Sequence, residues 1–121
     1  IIADRARAVF NGKVYVAKHA QKTKAEQHNK NVLLSKQAQV DTKPQLEIYA
    51  DDVKCAHGAT VGQLSEEALF YLRSRGIEQS QAECLLTQAF AQDILNQMQC
   101  DRLKPAIEKR LLKKLESMLW N

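Results

Sequence analysis

The sequence predicts a fold that is mainly β with helices, in two parts: a strand-rich region over residues 1–62 and a C-terminal helical region over 63–121. Three observations carry that reading. Up to Gly62 the apolar residues come in short runs that are β-branched, aromatic or alternating, set between polar segments. From Ser65 onward they recur at three- and four-residue spacing, with capping residues at the starts. The strands are short and their connectors vary in length, which suits the coils of a β-solenoid better than a compact sandwich, because each coil touches only its neighbours.

Taken in order, Lys13-Val14-Tyr15-Val16-Ala17 reads as a strand, with Asn11-Gly12 before it as a turn pair. His19 to Lys30 has almost no large apolar residue and reads as a polar connector. Asn31-Val32-Leu33-Leu34-Ser35 is a short apolar run. Pro44 falls just before the strand Gln45–Ala50, where its missing donor is tolerated, and Leu46 and Ile48 share one face of that strand. Val53 and Cys55 continue an inward pattern. Two or three coils do not cap themselves, and residue 1 is Ile, not Met, so the chain is expected to be a fragment of something longer.

The helical region opens on Ser65, an N-cap for Glu66–Arg75, with Glu66 and Glu67 placed where the helix dipole favours anions. Gly76 follows as a C′ residue. Ser80-Gln81-Ala82-Glu83 is a capping box for a second helix, whose Ala82, Leu85, Leu86, Ala89, Phe90, Ile94 and Met98 form a stripe. A third helix runs from about Pro105 to Leu119, with Ile107, Leu111, Leu115 and Leu119 on one face, opposite Lys109, Lys113 and Glu116. These stripes suit an intramolecular core or a docking face for a partner. Within the first helix, Phe70, Tyr71 and Arg73 are the candidate partner-binding residues, since aromatics with arginine are typical interface anchors; the other reading makes Phe70 and Leu72 core.

Composition narrows the function classes. A chain of 121 residues with 45% hydrophobic and 26% charged residues is an ordinary soluble domain. No apolar run approaches the roughly 18–20 residues of a membrane span. Three cysteines, Cys55, Cys84 and Cys100, make an odd and irregular set, which argues against a secreted disulfide framework and for the cytoplasm. Cys84 and Cys100 read as structural, small buried hydrophobes. The formal charge of +4 comes from residues 1–57, through scattered lysines without a dense block, so a solvated face is expected and no nucleic-acid partner.

The chemistry concentrates at Cys55-Ala56-His57. On a strand, side chains two positions apart leave the same face. A thiolate and an imidazole both suit iron, zinc and copper, so Cys55 and His57 form half of a soft-metal site. The competing reading is a packed cysteine beside a hydrogen-bonded histidine. His57 is the stronger ligand candidate, because lone cysteines on strands are common. His19 and His28 lie in polar stretches and read as surface residues, while Asp51 and Asp52 read as turn caps. Gly58 and Gly62 suggest a bend, and no Gly-x-x-x-x-Gly-Lys phosphate loop is present.

The stretches Ala20–Thr23, Asn31–Ser35, Val40–Gly62 and Glu67–Ile77 resemble the C-terminal portion of the SufB/SufD family, scaffolds of the SUF iron–sulfur cluster assembly system, over about residues 6–95. Gly58 stands where the SufB pattern usually carries an acidic residue, which points to the SufD branch. The resemblance implies a right-handed parallel β-helix, of which this chain is the last coils followed by the C-terminal helices. It implies a non-enzymatic scaffold that pairs with a SufB-like paralogue near the Cys-x-His motif and docks a SufC-like ATPase through the helices. It implies no cofactor in isolation and an iron–sulfur cluster shared at the subunit interface, with Cys55 and His57 at the matching positions. A ligand set completed by a second chain accounts for the missing ligands, and a homodimer through the β-helix end is a further expectation. Two rivals remain: a purely structural partner subunit that binds no metal, and a metal-dependent enzyme, for which the sequence offers neither a nucleophile–base set nor a third ligand.

Overall fold

Each of the first four elements pairs with the strand two places along the chain. β1 (Arg7–Val16) pairs in parallel with β3 (Gln39–Ile48), and β2 (Lys24–Val32) with β4 (Lys54–Gly62). Arg7 lies beside Gln39 and Lys24 beside Lys54, so the chain returns to each sheet after about thirty residues. These parallel pairings, with the helices that follow, make a mixed fold of strands and helices. The computed structural model describes residues 1–119, with side chains described as far as Ser117; the expected face position of Leu119 lies outside the described side chains.

The strands are longer than the apolar runs suggested. Asn11-Gly12 is not a turn but the middle of β1, and Pro44 is not ahead of β3 but within it, directly beside Gly12 in the register. Among the described residues β3 pairs only with β1, and a strand with a free side tolerates a proline. Much of the polar connector between His19 and Lys30 is strand β2. It alternates Lys24, Glu26, His28 and Lys30 outward with Ala25, Gln27, Asn29 and Asn31 inward. The period of two was present there, but carried by amides rather than by apolar residues.

The inner faces of the two sheets meet through those amides. Thr42 Oγ1 on β3 donates to Asn29 Oδ1 on β2 at 2.8 Å, and Asn31 Nδ2 donates to Asn29 Oδ1 at 2.6 Å and to the Thr60 carbonyl at 3.1 Å. Apolar burial is displaced to the strand ends and corners, at Ile2, Val16, Val32, Ala38 and Ala50. On the outer face of the β1–β3 sheet, Arg7 pairs with Asp41 and Lys13 with Glu47 across the strands; both pairs are exposed, and surface pairs of this kind add little stability.

Three helices follow: α1 (Glu66–Ser74), α2 (Gln79–Leu95) and α3 (Lys104–Leu119). Ser65 caps α1 by accepting from the Ala68 N–H at 3.2 Å. Gly76 has φ +85°, and the Gly76 and Ile77 N–H groups close on the Arg73 and Leu72 carbonyls, a Schellman ending. The start of α2 differs from the expected capping box at Ser80. Its N-cap is Glu78, whose carboxylate accepts from the Ser80 N–H at 3.0 Å and from the Ser80 hydroxyl; these bonds hold the carboxyl below its ordinary value.

The stripe of α2 also differs. Ala82, Thr87 and Leu95 are its buried residues, whereas Leu85 and Ile94 are exposed and Met98 lies beyond the helix. The helix packs against both α1 and α3, so its apolar residues are shared between two sides rather than gathered on one. Thr87 is 0% exposed and satisfies its hydroxyl on the Glu83 carbonyl at 2.7 Å. Leu115, 1% exposed, anchors α3, while Gln92 Nε2 on α2 donates to Glu108 of α3. Two compact units result, Ile1–Gln63 and Leu64–Asn121. Among the described residues no helix is long and apolar enough to cross a membrane.

Candidate functional site

Strand β4 presents Cys55 and His57. In parallel pairing, register partners share a face, so Cys55 stands beside Ala25 of β2 and His57 beside Gln27, on the side toward which the inner amides of β2 are directed. β4 is the last strand before the helices, and among the described residues it pairs with β2 alone. Cys55 is half-buried and His57 exposed.

Cys55 and His57 share a face, and the grouping goes no further among the described residues. Among the described residues no three or more His, Cys, Asp or Glu side chains cluster closely enough to hold a metal ion. His19 and His28 are exposed, and His28 Nε2 lies 3.6 Å from Glu26 on the outer face of β2. Asp51 and Asp52 lie in the bend before β4; the Asp52 carbonyl accepts from the Lys22 N–H, and its own N–H donates to Gln21 Oε1 at 2.9 Å. That bend ties successive corners together and brings no carboxylate to the thiol. Cys84 is half-buried on α2, and Cys100 is exposed between α2 and α3, against the expectation that it is a buried hydrophobe. A short connector between helices gave it nothing to pack against.

Two residues that sequence reading did not assign to a site lie on the inner faces: Gln27, the register neighbour of His57, and Gly12. Gln27 carries a buried Oε1 with no hydrogen-bond partner among the described residues. Gly12 makes room for its amide: a Cβ there would stand 2.6 Å from Gln27 Nε2 and 2.6 Å from the Phe10 ring. The alternation Ala25, Gln27, Asn29, Asn31 was the available signal, hidden inside a stretch that reads as hydrophilic.

The candidate partner-binding residues divide. Phe70, 74% exposed, and Arg73 line an open groove of about 580 Å³ with Ile77 and Gln79, so Phe70 is not core among the described residues. Tyr71, 57% exposed, lies outside that groove, with the Arg75 guanidinium 5.2 Å above its ring.

Comparison with known proteins places these features in a family. Residues 1–90 match the profile described as "SUF system FeS cluster assembly, SufBD core domain". The chain is 51% identical over 115 residues to the iron–sulfur cluster assembly protein SufD of Escherichia coli, a match that covers 95% of this chain and 27% of that protein. It is 52% identical over 98 residues to the SufBD family protein slr0076 of Synechocystis, covering 81% and 22% respectively. It is 44% identical over 89 residues to the chloroplastic protein ABCI7 of Arabidopsis thaliana, covering 74% and 19%. The chain thus spans about a quarter of the length of the curated relatives it matches.

Proposed function

The chain belongs to the SufBD core family of the SUF iron–sulfur cluster assembly system, and from that premise we propose that it is part of a scaffold subunit on which a nascent cluster is assembled. The whole fold we infer is a right-handed parallel β-helix whose last coils are residues 1–62, followed by a helical region over 63–121. Right-handed crossovers are the rule when parallel strands of one sheet are joined, and the two parallel sheets described above support this reading.

One observation carries the functional proposal: Cys55 and His57 share a face of the last strand, and no third ligand joins them among the described residues. Iron–sulfur clusters take thiolate first and imidazole second. A pair of this kind becomes useful when another chain supplies the rest. The scaffold therefore pairs with a SufB-like paralogue at the β4 rim, and the cluster is cargo held between the two rather than a resident cofactor. The groove at Phe70 and Arg73 supports docking of a SufC-like ATPase on the helices, since an exposed aromatic beside an arginine is an anchor in want of a pocket. The subunit itself runs no reaction, ATP is hydrolysed by its partner, and the assembly works in the cytoplasm.

The test is His57→Ala in the full-length protein, co-expressed with its partners, with iron and sulfide measured on the purified complex. We expect the complex to form and its cluster content to fall severalfold, with Cys55→Ala plus His57→Ala falling further. Cluster content equal to wild type in the double variant would instead assign the subunit a purely structural role.

A further inference from the structure

Gln27 holds a buried Oε1 that accepts no hydrogen bond among the described residues. Part of the amide row around it is already engaged. Asn29 accepts from both Thr42 and Asn31, and Asn31 Nδ2 is divided between Asn29 and the Thr60 carbonyl. Phe10, against which the amide is packed through the space left by Gly12, has no donor. A buried carbonyl oxygen is almost always satisfied, so a partner is to be sought on the next strand. There the register places His57 directly beside Gln27 and on the same face, across one strand spacing of about 4.8 Å. Cys55, one step away on that face, has only a weak S–H donor.

We propose that Gln27 is the positioning residue of the half-site: its Oε1 accepts the ring N–H of His57, which fixes the imidazole tautomer and leaves the other ring nitrogen's lone pair free for iron. A ligating histidine characteristically gives its second nitrogen's proton to a carbonyl or carboxylate, and that contact orients the ring. The exposed rim position of His57 makes such a tether necessary, because an unrestrained exposed imidazole samples several rotamers. Gly12 belongs to the same arrangement: it leaves the space that the Gln27 amide nitrogen and the Phe10 ring occupy. The inference rests on the reading of His57 as a ligand.

The experiment uses the full-length protein with isotope-labelled histidine, read by NMR at a pH where His57 is neutral, in wild type, Gln27→Leu and Gln27→Glu. The expected result is a single His57 tautomer with an exchange-protected ring N–H in wild type and in Gln27→Glu, which keeps an acceptor, and a mixture without protection in Gln27→Leu. In the reconstituted complex, Gln27→Leu should raise the iron concentration needed for half-loading by roughly 10–100-fold, with Gln27→Glu closer to wild type. An unprotected, mixed-tautomer His57 in the wild-type protein overturns the proposal without recourse to any variant, and so does a Gln27→Leu protein with an unchanged melting curve and the wild-type tautomer. The tautomer is read without iron. A locked tautomer with no effect of His57→Ala on cluster content would count against the shared cluster site, whereas free tautomers with normal His57 dependence would count against Gln27.

Discussion

The residue with the least side chain has the most crowded position in the coil. Gly12 lies in mid-strand, beside Pro44, and a methyl group added to it would stand 2.6 Å from the Gln27 amide nitrogen and 2.6 and 2.8 Å from two atoms of the Phe10 ring. Its backbone is ordinary extended chain, so its requirement is for space and not for a left-handed conformation. Gly76 is the opposite case, with φ +85° and nothing near its open side. Overpacking of a closed position costs about 1–3 kcal/mol. We therefore expect Gly12→Ala to destabilise the full-length protein by about that amount in chemical denaturation, and to shift Gln27 as the ring and amide give way. A denaturation midpoint equal to wild type would show that the coil has slack where the geometry shows none.

At the scale of elements, legibility followed the chemistry of each interior. The caps of α1 were open to sequence reading because Ser65, the two glutamates and Gly76 each act on their own backbone neighbourhood. The N-cap of α2 lies two residues before the expected one because Glu78, a less usual N-cap, takes the Ser80 N–H that the expected box had assigned to Glu83. β2 was read as a connector because its inward residues after Ala25 are Gln27, Asn29 and Asn31, and a rule that looks for alternating apolar residues passes over alternating amides. That Cys55 and His57 share a face was legible, since it follows from period two. The role of Gln27 was not, because register between strands some thirty residues apart is a tertiary fact. Helix α1 adds a separable test. An anchor that is 74% exposed contributes little to folding but much to docking. Phe70→Ala should leave the stability of the full-length protein within about 0.5 kcal/mol of wild type and weaken its affinity for the SufC-like ATPase by about tenfold or more, measured by calorimetry. Unchanged affinity would remove Phe70 from the interface.

At the scale of the molecule, the decisive feature is that β4 closes nothing. Among the described residues its second edge pairs with no strand, and that edge runs Lys54 to Gly62 with one charged side chain, Lys54, along its length. Edges left flat and uncharged recruit further strands unless a partner covers them. The same strand carries Cys55 and His57, so in the proposed assembly covering the edge and completing the ligand set are one event. The full-length protein without its paralogue is accordingly expected to pair with itself through β4. Light scattering should report twice the monomer mass at micromolar concentration, and Ala59→Pro, which removes a backbone donor from the middle of that strand, should shift the population toward monomer. Added SufB-like paralogue should replace the homodimer with the mixed pair, because the same edge serves both. A wild-type protein that stays monomeric as its concentration rises, or a homodimer that survives excess paralogue, would mean that the β4 edge is covered by something other than a second scaffold chain, and the shared site would have to be sought elsewhere.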